Sequence, residues 1–358
     1  MNPALILAST TVAFIVATTF MLALRPVALG IGLVDAPGGR KFHEGEIPIT
    51  GGIAMFFGAF AGAGILPIPG DVALSIFLAS AILVIIGVVD DRFHISAIAR
   101  LFSQIVAVLL MYFGAGLSLA DIGDPFGTGL LYTGPLSLVV TMLVFVAMIN
   151  AYNFVDGADG LAGSLSLIGL LAVAVVCGVY HPTGALALTV AAATAGFLNF
   201  NFPTVYNRLV RSFMGDAGST LLGFTLAWIT LSISQGPERV ISPVIGLWFA
   251  AVPIFDFFTC FVRRILRGKS PFTPVRDHFH HILMRGGFGI RQTLGILNGL
   301  QTIYALIGLA GSLSGTPDVV MFAAWSILGL TQIFIIRAVS KYHRLYLRRV
   351  RRTRSTAA

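Results

Sequence analysis

Four short polar motifs interrupt an otherwise apolar chain, and their residue types suit phosphate chemistry. The motifs are VVDD (88–91), NFVDGADG (153–160), FMGDAGS (213–219) and HFHH (278–281). Mg²⁺ is usually held by one or two carboxylates together with substrate oxygens, and arginine pairs with phosphate through two parallel hydrogen bonds. Aspartate-rich and histidine-containing loops with arginine nearby therefore favour a site for Mg²⁺ and phosphates.

The same motifs argue against two other kinds of site. Zinc is less favoured, because no cysteine accompanies the motifs and HFHH has no second ligand cluster at zinc-finger or HExxH spacing. Neither GxxxxGK[ST] nor GxGxxG occurs, so a nucleotide would have to be bound by another arrangement.

Each motif taken alone also has a purely structural interpretation. DGADG suits a turn, Asp216 or Ser219 could cap a helix, the pair Asp90–Asp91 could start a solvated loop, and HFHH could be an interfacial loop. Four such motifs on one membrane face would favour a functional site over four unrelated features.

The composition predicts the elements that carry these motifs. Of the 358 residues, 56% are hydrophobic and 11% are charged, and the mean hydropathy is +0.91; a soluble protein would carry about 25% charged residues. We therefore expect an all-α polytopic integral membrane protein, because apolar runs near the ~20 residues of a spanning helix recur along the chain. The eleven predicted spans are 4–24, 51–67, 71–89, 101–120, 135–152, 161–180, 184–200, 217–234, 241–262, 292–312 and 318–338.

The distribution of Lys and Arg predicts the orientation of these spans. Of the 23 basic residues, all but Arg239 fall in the loops after the odd-numbered spans or in the C-terminal tail. The positive-inside rule makes that side cytoplasmic, with the N-terminus outside and the C-terminus inside. Residues 1–338 are then one transmembrane catalytic domain, and residues 339–358 are a basic cytoplasmic tail that lies against anionic headgroups rather than nucleic acid.

The acidic residues are more informative, because the positive-inside rule does not require them on the basic side. The cytoplasmic side is predicted to hold most of the 15 acids: Asp35, Glu44, Glu46, Asp90, Asp91, Asp156, Asp159, Asp216, Asp256 and Asp277. Such a cluster at one face predicts a site at the inner interface. Pro253 and Asp256, near the end of the ninth span, mark a place where a bend would open a groove to lipid.

Five stretches resemble the polyprenyl-phosphate N-acetylhexosamine-1-phosphate transferase family in order and spacing. They are GLVDAPGGRKFHEGEIPITGG (32–52), GVVDDRFHISAIARLFSQ (87–104), INAYNFVDGADGLAG (149–163), FMGDAGSTLLGF (213–224) and PIFDFFTCFVRRILRGKSPFTPVRDHFHHILMRGGF (253–288). The chain resembles especially the bacterial members that use undecaprenyl phosphate. This resemblance implies transfer of N-acetylglucosamine 1-phosphate from UDP-N-acetylglucosamine to undecaprenyl phosphate, with release of UMP, at the start of O-antigen or related surface glycan synthesis.

The resemblance also implies roles for individual residues. Asp216 and Asn153 match the family's Mg²⁺ site, in which Mn²⁺ is a candidate substitute. Asp90 and Asp91 match an aspartate pair proposed to act catalytically at the lipid phosphate. The residues matched to UDP-sugar binding are Asp156, Asp159, Phe213, His278, His280 and His281.

The charges of such substrates explain why carboxylates would be needed. A UDP-sugar carries about two negative charges and a phosphate monoester nearly two more at pH 7, so Mg²⁺ between aspartates and diphosphate would make the arrangement favourable. Because the lipid phosphate is already mostly dianionic, Asp90 and Asp91 are expected chiefly to position ligands or accept the remaining proton. A covalent aspartyl intermediate ranks second. Arg264 and Arg276 are candidates for stabilising the diphosphate charge.

Several alternatives stay open at this point. Val275 stands where many relatives carry an aspartate, which leaves another UDP-N-acetylhexosamine as an alternative substrate. A secondary transporter would also be polytopic with acids in its spans, but transporters usually place these near the midplane and in internal repeats. The expected location is the bacterial cytoplasmic membrane, and the oligomeric state is left open, with a homodimer as one option.

Overall fold

The described part of the chain is built almost entirely from α-helices. The computed structural model describes residues 1–35, 45–204, 211–266, 268 and 278–356, with side chains up to Leu347. In these residues thirteen α-helices follow one another: α1 (Pro3–Ile31), α2 (Gly51–Ala63), α3 (Gly70–Phe93), α4 (Ala97–Gly114), α5 (Ser137–Val155), α6 (Leu161–Cys177), α7 (Pro182–Asn201), α8 (Gly215–Ser232), α9 (Pro243–Gly246), α10 (Ala251–Leu266), α11 (Phe279–Arg285), α12 (Ile290–Leu313) and α13 (Asp318–Thr356).

The helices confirm a polytopic helical membrane protein. Each of the eleven predicted apolar runs falls on a helix, and the ninth falls on α9 and α10 together. Eight helical segments of the described residues are long and apolar enough to cross a membrane, while α2 and α6 are apolar but shorter. The number of eleven crossings, the sides of the two termini and the division at residue 338 stay predictions.

Helix α8 lies in the centre of the bundle, where it packs against α2, α3, α5, α6 and α7. Its side chains from Ala217 to Ile229 are all buried. Small residues let the neighbouring backbones approach: a Cβ atom added at Gly52 of α2 would lie 2.7 Å from the Ala217 carbonyl carbon, and one at Gly87 of α3 would lie 2.9 Å from that of Asp216. Close contact through small residues is a main source of helix association in membranes. This close packing brings the C-terminal end of α3 against the N-terminal end of α8.

The segment that leads into α8 is held by the chain that leads into α2. Strands β1 (Val34–Asp35) and β2 (Ile47–Pro48) pair antiparallel. Directly after β2 the chain bonds to the segment before α8: the Phe213 N–H donates to the Pro48 carbonyl at 2.9 Å, and the Gly51 N–H donates to the Phe213 carbonyl at 3.0 Å. Thr50 and Ser212 add a hydroxyl pair 2.9 Å apart. These bonds fix Phe213 and the start of α8.

The ninth apolar run is interrupted just before Pro253, whereas the groove to lipid expected at Pro253 and Asp256 stays a prediction. A 3-10 turn, Leu247–Ala250, separates α9 from α10, because Pro253 has no N–H to donate to the carbonyl of Phe249. The fully buried Gln301 of α12 replaces that bond: its Nε2 donates to the Phe249 carbonyl at 3.0 Å. Its Oε1 accepts from the Val252 N–H at 2.9 Å. A side chain thereby satisfies backbone groups that lipid cannot.

Three acids outside the predicted cytoplasmic set, Asp121, Asp124 and Asp318, make contacts near the far ends of α4 and α8. Asp121 pairs with Arg239 at 3.3 Å. Asp318, at the start of α13, accepts from the Asp124 N–H at 2.9 Å and from the Ser242 hydroxyl at 2.6 Å. These contacts involve no residue of the four motifs.

Candidate active site

A cleft of about 900 Å³ lies where the C-terminal ends of α3 and α5 meet the N-terminal end of α8. Its volume falls within the range typical of small-molecule sites. Seven residues that the sequence predicts for the site line it together: Asp90, Asp91, Asn153, Asp156, Asp159, Phe213 and Asp216. Three motifs more than 50 residues apart in the chain are thus assembled at one end of the bundle.

Asp216 is the centre of a polar network in this cleft. Its Oδ1 accepts from Asn153 Nδ2 at 2.9 Å, and its Oδ2 accepts from Arg100 Nη1 at 2.8 Å. The same Arg100 nitrogen donates to Asp90 Oδ2 at 3.0 Å. The guanidinium therefore bridges carboxylates from α3 and α8, which shows that this position favours a positive charge. The Arg100 side chain is 38% exposed, so its ion pairs are partly screened by solvent.

Asp91 lines the cleft, but both of its carboxylate oxygens lie against the backbone at the start of α8. Its Oδ1 accepts from the Asp216 N–H at 2.9 Å, and its Oδ2 lies 3.5 Å from the Ala217 nitrogen. A carboxylate at this place caps the helix and complements its dipole. Gly215 makes the arrangement possible, because its φ of +72° suits glycine and a Cβ atom there would overlap Asp91 Oδ2. Asp91 thereby sets the position of Asp216.

The loop 156–160 is tied to the segment before α8 by Asn201, the last residue of α7. Asn201 Oδ1 accepts from the Gly160 N–H at 2.6 Å, and its Nδ2 donates to the Ser212 carbonyl at 2.8 Å. At the rim, Arg211 forms an ion pair with Asp159 and lies 5.3 Å from the ring centroid of Phe213. One face of the Phe213 ring, which the resemblance assigns to UDP-sugar binding, thus meets a cation.

Negative charge exceeds positive charge in the cleft. Six aspartates line it, whereas its arginines are Arg92 and Arg100. Desolvation, followed by the charges of Asp216 and Asp91, raises the pKa of the Asp156 carboxyl well above its usual range. A diphosphate would add further repulsion, so the cleft is suited to such a ligand only together with a cation.

The histidine motif lies behind the loop 156–160 and does not line the cleft itself. His278 is buried, and its Nδ1 lies 2.8 Å from Asp256 Oδ2; Asp256 Oδ1 accepts from the Phe279 N–H at 2.8 Å. His280 packs against Gly157 of the loop with 1% of its surface exposed. Desolvation, followed by the charges of His281 and His278, lowers the pKa of His280 well below its usual range. Whether these histidines contact substrate stays a prediction, but they support the loop.

The remaining predicted residues lie near the histidines or outside the described residues. Arg264 is buried, and its guanidinium carbon lies 5.4 Å from the ring centroid of Phe154. His281 is half-buried beside His280, with ring centroids 4.1 Å apart. Arg276 and Val275 fall outside the residues that the structure describes.

Four residues that organise the site were not predicted for it. They are Arg100, Asn201, Arg211 and Asp256, of which Asp256 was expected only as one of the cytoplasmic acids and at the bend of the ninth span, with no role of its own in the site. Arg100 and Asp256 lie within stretches that carry the family resemblance, 87–104 and 253–288, so the signal was present. Asn201 was harder to find, since a single asparagine at a helix end most often caps or turns the chain.

Comparison with known proteins shows which family the chain belongs to. The sequence profile of glycosyl transferase family 4 matches residues 73–234. The undecaprenyl-phosphate alpha-N-acetylglucosaminyl 1-phosphate transferase of Yersinia pestis is 37% identical over 95% of this chain and 94% of its own length. The protein of the same name from Escherichia coli (strain K12) is 38% identical over 95% and 93%, and that of Pasteurella multocida is 35% identical over 97% and 97%. The chain belongs to glycosyl transferase family 4.

Membership of glycosyl transferase family 4 confirms the resemblance found in the motifs. The matched segment runs from α3 to α8 and carries Arg100 and every predicted residue of the cleft. The histidine motif lies beyond it, in a part covered by the full-length relatives. The protein is therefore a multi-pass membrane transferase with an aspartate-lined cleft.

Proposed function

We propose that this protein transfers N-acetylglucosamine 1-phosphate from UDP-N-acetylglucosamine to undecaprenyl phosphate and releases UMP. The observation that carries the proposal is the cleft in which Asp216 and Asp90 share one cation, Arg100, while Asn153 bonds to Asp216. The names of the full-length relatives support the same reaction. The product would start O-antigen or related surface glycan synthesis, and the protein would lie in the bacterial cytoplasmic membrane with its cleft facing the cytoplasm.

The donor atoms in the cleft fit Mg²⁺ as the cofactor, with Mn²⁺ as a substitute. The donors are hard oxygens from carboxylates and an amide, which Mg²⁺ prefers, and Arg100 already holds a positive charge between two of them. Asp216 and Asn153 would hold the ion, with Asp90 beside them. When bound, the metal would neutralise the diphosphate and stabilise the charge that develops on UMP.

The protein's own residues would then position the two substrates. Phe213 would stack on uracil in place of the Arg211 contact, and Asp159 would be free to bond the nucleotide as its ion pair opens. Asp91 would act through the backbone, because it fixes the turn that presents Asp216. Arg100, once displaced from Asp216, would be available to pair with a phosphate oxygen.

The reaction itself needs little proton transfer. An oxygen of the lipid phosphate would attack the phosphorus attached to the sugar, and the bond from that phosphorus to the bridging oxygen would break. The bridging oxygen leaves with UMP, so the electron pair stays on the leaving phosphate. Because a phosphate monoester with a pKa near 6 is mostly dianionic at pH 7, a general base would contribute less here than in attack by a hydroxyl.

The proposal is tested by offering the purified protein a panel of UDP-sugars. Protein in detergent is mixed with undecaprenyl phosphate, Mg²⁺ and one UDP-sugar, and both UMP release and the mass of the lipid product are measured. We expect the largest turnover with UDP-N-acetylglucosamine. Greater turnover with another UDP-N-acetylhexosamine would reassign the sugar, and no lipid product from any sugar would contradict the transferase assignment.

Two variants make the panel specific to the cleft. Asp216→Asn should lose more than about 90% of turnover, which corresponds to at least about 1.4 kcal/mol of transition-state stabilisation. Asp71→Asn is the matched control, because Asp71 is an exposed aspartate in the first turn of α3, at the opposite end from Asp90. It should keep wild-type turnover.

A further inference from the structure

A second polar cavity, of about 570 Å³, lies between α10, α11 and α13. We name it the basic pocket. It is lined by Arg263, Ile282, Arg285, Arg337, Ser340, Lys341, Arg344 and Leu345. It shares no lining residue with the aspartate cleft, so the proposed transfer reaction assigns it no role.

Five cationic side chains line the basic pocket, and none of the described residues that line it is acidic. Arg337, Lys341 and Arg344 stand at helical positions i, i+4 and i+7, which places them on one face of α13. Among the described residues these three have no carboxylate partner. The acidic residues of the three helices are Asp318, at the distant end of α13, and Asp256, which is bonded to His278. Like charges so close repel one another, so the pocket favours an anion.

A buried hydroxyl provides an independent indication of a ligand. Ser340 is 3% exposed, it lines the basic pocket, and its Oγ has no hydrogen-bond partner within the described residues. An orphan buried polar atom is costly unless something bonds to it. A phosphate oxygen in the pocket would accept from this hydroxyl while it pairs with the surrounding guanidinium groups.

The pocket lies at the level where the apolar part of α13 ends. Residues 319–336 form an apolar run of 18 residues that would cross about 27 Å, so Arg337 begins the polar part of the helix. On the apolar side, large side chains stay exposed: Phe334 at 68%, Ile335 at 52% and, on α10, Leu266 at 80%. A cationic pocket above an exposed apolar surface matches the shape of an anionic amphiphile better than that of a soluble phosphate.

We propose that the basic pocket binds the phosphate diester headgroup of an anionic phospholipid, whose chains lie along α10 and α13. Basic pockets between transmembrane helices on the cytoplasmic side are a recurrent way to bind such headgroups. The bound lipid would join α13 to α11, since Gly286 at the end of α11 already packs against Ser340. Helix α11 also carries His280, which packs against Gly157 of the loop 156–160. A lipid that fixes α11 would therefore also stabilise this loop.

Native mass spectrometry of the full-length protein in neutral detergent tests this proposal. The probes are dioleoyl-phosphatidylglycerol, dioleoyl-phosphatidylcholine, glycerophosphoglycerol and undecaprenyl phosphate. The pocket variant is Arg337→Gln/Lys341→Gln/Arg344→Gln. The matched control is Arg351→Gln/Arg352→Gln/Arg354→Gln, which removes the same charge from positions further along α13.

We expect the wild type and the control to bind phosphatidylglycerol at least about tenfold more tightly than phosphatidylcholine, and the pocket variant to lose that preference. Phosphatidylglycerol should also raise the Tm of the wild type and the control, but not of the pocket variant, because a ligand stabilises the state that binds it. If the pocket variant does not fold in phosphatidylcholine, Lys341→Gln alone replaces it and should show a smaller loss.

Three results would overturn the proposal. Equal losses of phosphatidylglycerol binding in the pocket variant and the control would mean that the basic residues of α13 attract the lipid diffusely, without a defined pocket. Equally tight binding of glycerophosphoglycerol would assign the pocket to a soluble phosphate. Tighter binding of undecaprenyl phosphate that depends on Arg337, Lys341 and Arg344 would make the pocket a substrate site.

Discussion

Variants of Asp91 test most clearly whether an aspartate of the cleft positions other groups or takes part in the reaction itself. In the structure its Oδ1 accepts from the Asp216 N–H at 2.9 Å, and its Oδ2 lies 3.5 Å from the Ala217 nitrogen. Asparagine in its place keeps one oxygen acceptor for the Asp216 amide, whereas alanine keeps none. The pair Asp91→Asn and Asp91→Ala therefore separates the hydrogen bond from the carboxylate charge.

The magnitudes follow from the contacts that each variant removes. Asp91→Ala loses a helix cap of about 0.5–2 kcal/mol and a favourable charge at the helix N-terminus of about 0.3–1 kcal/mol. We therefore expect a loss of about 1–3 kcal/mol in the free energy of unfolding. Asp91→Asn loses mainly the charge and should stay within about 1 kcal/mol of the wild type. Turnover should also fall further in Asp91→Ala than in Asp91→Asn, because the hydrogen bond and the charge of Asp91 both act through the position of Asp216.

The assay combines thermal unfolding in detergent with UMP release at saturating substrates. We expect Asp91→Asn to keep at least about a tenth of wild-type turnover, a loss below about 1.4 kcal/mol, and Asp91→Ala to fall lower. Asp71→Asn serves again as the control. If both Asp91 variants are equally inactive while Asp91→Asn keeps wild-type stability, the carboxylate itself reacts or holds the metal, and the positioning role is refuted.

Three further changes test other contacts. Arg100→Ala leaves the Asp90 and Asp216 carboxylates without their bridging cation, so thermal unfolding should show a larger difference between EDTA and Mg²⁺ than in the wild type; an unchanged difference would contradict the metal position. Asp256→Ala removes two buried hydrogen bonds to a carboxylate, so the free energy of unfolding should fall by about 3 kcal/mol; a loss below about 1 kcal/mol would argue against the interaction. Because the pKa of His280 is lowered, the unfolded chain binds more protons than the folded protein below about pH 6.5, so the free energy of unfolding should fall as the pH is lowered, by at most about 1.4 kcal/mol per pH unit. His280→Gln should flatten this fall in chemical unfolding curves, and an unchanged slope would contradict the buried position of His280.

The sequence predicted the helices well because long apolar runs leave the chain few alternatives in a membrane. With no water to bond free backbone groups, each run has to form a helix, and the eleven predicted runs fall on helices. The interruption in the ninth run followed from Pro253, whose missing N–H leaves a carbonyl to be bonded elsewhere. The partner that bonds it, Gln301, lies 48 residues further along the chain, and no local pattern indicated it.

The cleft was predictable as a set of residues but not as a geometry. Asp90, Asp156 and Asp216 stand in motifs whose residue types suggest phosphate chemistry wherever they meet. That Asp91 caps α8 depends on how closely Gly87 and Ala217 let α3 and α8 approach, which is a property of packing. The place of His280 behind Gly157 likewise depends on how α11 packs, since neither motif contains information about the other.

The fate of the two phosphates of the sugar nucleotide tests the central claim most directly. UDP-N-acetylglucosamine labelled with ³²P at the phosphate attached to the sugar is incubated with the wild-type protein, Mg²⁺ and undecaprenyl phosphate, and the products are separated into lipid and aqueous phases. Transfer of sugar 1-phosphate predicts that all label lost from the donor appears in the lipid, matched by an equal amount of unlabelled UMP, and that Asp216→Asn shows neither. Label that stays in the aqueous phase as UDP while the lipid gains sugar would mean that the sugar alone is transferred, and would contradict the account.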